Sequence, residues 1–173
     1  MMQQIVNTIV IQSTPSIAWH YLTDPGLMKQ WMAEPEMELE IATDWKVGHP
    51  IVTSGFHHVK FEHKGKVLEF ERDRVLKYDY LSTVSRLADK PENHTIVEFR
   101  LTPLESETSL TLMLSNFPTE AIFKHVGFYW KTTLQILKRT IEGRCLTTVR
   151  SDDRRGIFTH GPSGTSGQPG EFS

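Results

Sequence analysis

Residues 119–143 read TEAIFKHVGFYWKTTLQILKRTIEG. Phe123, Val126, Trp130, Leu134, Leu137 and Ile141 recur at steps of three and four, the spacing that lines up one side of a helix. At a rise of about 1.5 Å per residue the rod is roughly 35 Å long. Lys124, Lys131, Lys138 and Arg139 fall on or near the other side as a solvated stripe, suited to an acidic partner. Pro118 and Thr119 stand where a helix entry wants a fixed φ and a capping hydroxyl, and Gly143 stands where an exit wants a left-handed residue. An apolar stripe of this length needs a large concave partner, so the pattern predicts a fold with a cavity and leaves its occupant open.

Working outward, the preceding sequence supplies the concave partner as strands. Leu110, Leu112 and Leu114 alternate with Thr111 and Met113, and residues 95–102 alternate in the same way around Val97, Phe99 and Leu101. Residues 75–83, 67–71 and 51–61 read as further extended segments, with a turn or bulge expected at Lys64-Gly65. MELEI at 37–41 alternates apolar with acidic residues, and IVNTIVI at 5–11 is rich in β-branched types. Between those two, Thr14-Pro15 and Asp24-Pro25 each open a short helix, the second carrying Leu27, Met28 and Trp31. Connections of hairpin length force antiparallel neighbours. The expected class is therefore α+β: a strongly curved antiparallel sheet of about seven strands around a long C-terminal helix, with two short helices after the first strand.

Composition limits the partners. Nineteen basic against twenty-one acidic side chains leave a net charge of -2, with no basic run to grip phosphates, which argues against nucleic acid. No run reaches the roughly 18 apolar residues of a membrane span, and MMQQIVNTIVIQ lacks the basic start of a signal peptide. The single cysteine, Cys145, permits no internal disulfide, and the expected location is cytoplasmic. A domain is expected over residues 1–148. Residues 149–173, dominated by Gly, Ser and Pro after His160, are expected to be a disordered tail, either native or left over from cloning.

The stretches STPSIAWHYLTDPGLMKQW (13–31), GKVLEFERDRVLKYDYL (65–81), TSLTL (108–112) and FYWKTTLQIL (128–137), in this order, resemble the START-like helix-grip superfamily. Within it the chain is similar to the proteins named after the activator of the heat-shock-protein-90 ATPase. The matching positions are Pro15, Trp19, Leu22, Thr23, Asp24, Pro25, Trp31, Gly65, Val67, Leu76, Tyr78, Trp130, Leu134 and Leu137. The resemblance implies the helix-grip fold over about residues 3–143. It also implies a hydrophobic ligand, a lipid or a polyketide-like aromatic, in a cavity between long helix and sheet. A chaperone partner is the alternative drawn from the family name, and a cyclase or aromatase is the alternative drawn from other relatives.

The expected cavity lining is Trp31, Phe56, His58, Phe70, Tyr78, Tyr80, Phe99, Leu112, Val126, Trp130 and Leu134, with Trp31 and Trp130 near its mouth. In an enzyme, Tyr78, Tyr80 or His58 would polarise a carbonyl or move a proton. In a binding protein the same tyrosines would only satisfy their hydroxyls. No cofactor and no metal are expected. His49, His57, His58 and His63 crowd together, but adjacent strand residues such as His57 and His58 should point to opposite faces. No phosphate-binding glycine loop, H-E-x-x-H or G-x-S-x-G occurs.

Overall fold

A computed structural model describes residues 3–153 of the chain, with side chains as far as residue 143. Seven antiparallel strands form one sheet: β1 (Gln4–Ile11), β2 (Glu40–Thr43), β3 (Pro50–His57), β4 (Val59–Glu71), β5 (Val75–Ser82), β6 (Thr95–Pro103) and β7 (Thr108–Ser115). Their spatial order is β1-β7-β6-β5-β4-β3-β2, so only the β1–β7 pairing joins strands distant in sequence. Helices α1 (Pro15–Thr23) and α2 (Pro25–Met32) close one end, and α3 (Glu120–Asp153) lies along the hollow face.

Local chemistry accounts for the helix starts. The Thr14 hydroxyl accepts from the Ile17 amide at 3.4 Å, Asp24 Oδ1 from the Leu27 amide at 2.9 Å, and Thr119 Oγ1 from the Ile122 amide at 3.2 Å. Asp24 also ends α1, its own amide bonding to the His20 carbonyl, so one residue divides the two short helices.

The inner side of α3 is the expected stripe: Val126, Trp130, Leu134, Leu137 and Ile141 are all buried. They meet Phe99, Leu101, Leu110, Leu112 and Leu114 of the sheet in one apolar core. The lysine stripe is only partly as expected. Lys124 pairs with Glu120 at the surface, but Lys138 Nζ donates to the Val10 carbonyl at 2.6 Å, and Glu142 accepts from the Gln12 amide at 3.0 Å. These bonds satisfy backbone groups on the open edge of β1 and just past its end, which no further strand among the described residues covers.

Four boundaries differ from expectation. Residues 37–39 are not strand: Pro35–Met37 is a 3-10 turn and Glu38 is left-handed (φ 47°), so β2 starts at Glu40. No turn or bulge falls at Lys64-Gly65: the chain turns at His58 (φ 62°), and Gly65 continues β4 opposite Ile51. The register shift in β4 falls between Val67 and Glu69. Finally, α3 runs through Gly143 to Asp153, past the domain boundary placed at 148. A lone glycine costs about 1 kcal/mol inside a helix, too little to stop one without a proline or a competing cap. The rest of the expected tail, residues 154–173, lies outside the described residues.

Candidate functional site

The sheet's hollow face is read by alternation. On β4 it carries Phe61, His63, Gly65 and Val67, and on β5 Leu76, Tyr78 and Tyr80. The His63 ring stacks on Tyr80 with centroids 4.8 Å apart, and Phe61 lies 5.2 Å from His63 at a tilt. Tyr129 of α3 faces this wall. Its hydroxyl donates to the Met32 carbonyl at 2.7 Å, tying the helix to the chain leaving α2.

His63, Tyr80 and Tyr129 are only half-buried, yet all three are strongly desolvated. Burial, helped by nearby His125, pulls the His63 imidazole down to about 4. Burial likewise pushes Tyr129 up to about 12. Tyr78 and Tyr80 are raised further, first by burial and then by neighbouring tyrosines, including Tyr129 in both cases. At neutral pH the wall therefore offers phenol O–H donors and an uncharged imidazole. Among the described residues, no protein group hydrogen-bonds the Tyr78 or Tyr80 hydroxyl or the His63 ring, and none of these atoms is sealed from solvent.

Two openings adjoin the wall. A pocket of about 320 Å³ lies between α3 and the chain after α2, lined by residues that include Trp31, Met32, Met37, Tyr129, Thr133 and Ile136. A more open groove of about 420 Å³ runs along the β3–β4 end of the sheet, past Gly55, Phe61, Glu62 and Thr83. Phe61 fits there because Gly55 leaves its place empty: a Cβ on Gly55 would stand 2.9 Å from the Phe61 ring.

The expected lining divides into three groups. Tyr78, Tyr80 and Val126 belong to the wall or the helix face above it. Trp31, Phe99, Leu112, Trp130 and Leu134 come together but as packed core: Trp130 lies 5.5 Å edge-on to Phe99 and 6.3 Å from Trp31. The Trp31 ring N–H donates to the Tyr21 carbonyl and Trp31, though 2% exposed, still borders the pocket after α2, whereas Trp130 borders neither opening. The remaining three are elsewhere. Phe70 is wedged between Trp19 and Trp45 under the short helices, past the shift in β4. Phe56 and His58 are exposed on the β3–β4 hairpin, because the turn at His58 ends the strand that was to carry them inward, though Phe56 borders the open groove at the sheet end.

His63, Tyr129, Phe61 and Met32 were missed as lining. The signal for Phe61 and His63 was their two-residue step to Gly65 and Val67, hidden by the misplaced turn. Tyr129 gave no signal, being one position off the α3 stripe. The hairpin also overturns the reason for separating His57 and His58. The left-handed turn brings their rings to 4.6 Å, although no cluster of three or more metal-ligating residues exists among those described.

His63 implies an acid limb. A group whose pKa falls on folding binds fewer protons when folded, so stability is full above its unfolded pKa of about 6.5 and is lost as pH falls toward 4. With partial solvent access the loss is about 1–2 kcal/mol. Urea unfolding at pH 7.5 and 4.5 should show His63→Phe, which keeps the stack on Tyr80, losing correspondingly less than the parent. Equal losses would rule His63 out as the cause.

The comparisons agree with this geometry. Residues 12–142 match the family model described as Activator of Hsp90 ATPase homolog 1-like protein. Among solved structures, ChR145 from Cytophaga hutchinsonii is 29% identical, with a TM-score of 0.69 over 83% of this chain and 96% of its own. The Aha1 dimer from Colwellia psychrerythraea is 22% identical, with a TM-score of 0.64 over 82% of this chain and 97% of its own. CalU16 from Micromonospora echinospora is 20% identical, with a TM-score of 0.63 over 89% and 85%. These last two speak for the fold alone. No curated protein matches the chain. No helix among the described residues is long and apolar enough to cross a membrane. With the family model covering most of the sequence and the sheet, short helices and long helix in the expected places, the chain belongs to the Activator of Hsp90 ATPase homolog 1-like family, on a START-like helix-grip fold.

Proposed function

We propose that the protein binds a small, mainly apolar molecule between the first half of α3 and the β4–β5 wall. The observation that supports this is the wall itself. Phe61, His63, Tyr78, Tyr80 and Tyr129 combine aromatic surface with polar tips, and only Tyr129 has its tip bonded to the protein. A core built only for stability pairs its buried hydroxyls, whereas a ligand site leaves some of them for the ligand. Farther along α3, Leu137 and Ile141 are buried in the core and take no part.

Native mass spectrometry of the purified protein, followed by thermal shift against a panel of lipids and neutral aromatics, tests the reading. A bound or stabilising apolar molecule is expected, with Tyr80→Ala weakening it about tenfold or more and His58→Ala leaving it unchanged. An empty protein that no compound stabilises would overturn it.

A chaperone partner is the second reading, and it has its own observation: Phe128 on the outer face of α3 is 77% exposed, between Lys124 and exposed Lys131. Phe128→Asp separates the two, since it should leave cleft binding intact and abolish association with a chaperone that docks there.

A further inference from the structure

Resting on that reading, we propose that the occupant is a neutral molecule presenting a carbonyl-type acceptor to the Tyr78 and Tyr80 hydroxyls, and that the site discriminates against carboxylates and other anions.

Two donors without partners define what the polar end of a ligand must supply. A phenol O–H donates most readily to an acceptor oxygen, and the neutral His63 ring beside Tyr80 can complement it by donating or accepting. An anion would satisfy the same hydroxyls but needs a counter-charge once it is out of water, because a buried charge without a partner is strongly disfavoured.

No such counter-charge is available among the described side chains. Every described lysine and arginine is exposed except Lys29, Lys77 and Lys138. Those three are engaged elsewhere, with Glu40, with Glu98, and with the Val10 carbonyl and Glu142 respectively. His125 acts on His63 from an exposed position on α3, and the groove at the sheet end is bordered by Glu38, Lys60 and Glu62, which give no excess of positive charge. His63 itself stays uncharged down to about pH 4. Fatty acids and phospholipids are thereby disfavoured, and ketones, quinones, enones and esters on an apolar body are favoured.

Isothermal titration at pH 7.5 with 2-acetylnaphthalene, 2-naphthoate and naphthalene, which share one bicyclic body, tests this. The ketone should bind about tenfold or more tighter than the carboxylate and more tightly than naphthalene. Tyr78→Phe and Tyr80→Phe should each cost the ketone about threefold to tenfold, leave naphthalene unchanged, and keep the protein folded by circular dichroism. Naphthoate binding as well as the ketone, or ketone binding that ignores both hydroxyls, would overturn the neutral-acceptor assignment while leaving an apolar site in place. If none of the three binds and no panel compound stabilises the protein, the cleft reading falls and this inference with it.

Discussion

Gly65→Ala should cost about 3–5 kcal/mol, enough to leave much of the protein unfolded or insoluble. A Cβ at Gly65 would lie 1.7 Å from the Asp79 carbonyl oxygen and 2.5 Å from its carbon, and backbone cannot rotate out of the way as a side chain can. The β4 and β5 strands would have to separate at that point. Asp79 Oδ1 also accepts from the Lys66 amide at 2.8 Å, so the same movement would release a second contact. Guanidinium unfolding followed by circular dichroism gives the measure, and a variant within about 1 kcal/mol of the parent would show that the sheet can yield there. Gly143 is the internal contrast. Nothing lies within 4 Å of a Cβ placed on it, and it sits inside α3, so Gly143→Ala should be neutral to stabilising by up to about 1 kcal/mol.

Trp130→Ala should cost a comparable 3–5 kcal/mol, roughly the usual price of emptying a core aromatic site. Trp130 is 3% exposed and packs against Phe99, Trp31 and Tyr129, the last edge-on at 5.2 Å. Its loss would loosen α2, α3 and β6 together, and would disturb the cleft only through Tyr129. Trp130→Phe should recover more than half of the loss. If Trp130→Ala melted within a few degrees of the parent while ligand affinity vanished, the residue would be a cavity wall after all, and the division between packed core and open wall would be wrong.

Much of the fold was legible in one dimension because it is written in period and punctuation. The α3 stripe repeats at helical spacing, and Thr14-Pro15 and Asp24-Pro25 mark helix starts through bonds only three residues long. β7 alternates cleanly and β6 does so apart from buried Glu98, since one face is core and the other is more exposed. The site was less legible. Its membership depends on strand register: the turn at His58 leaves Phe56 and His58 exposed on the hairpin, Phe56 still bordering the groove, and sets Phe61 and His63 on the hollow face.

By itself, then, the amino-acid order determined the element types, the antiparallel class and the side of α3 that is buried, because each follows from contacts or periodicities within a few residues. Tertiary structure alone decided which aromatics fill the core and which line the cleft. It also decided that Tyr129 should reach Met32 and that Gly65 should lie against Asp79, since each depends on how far apart two surfaces come to rest after they pack.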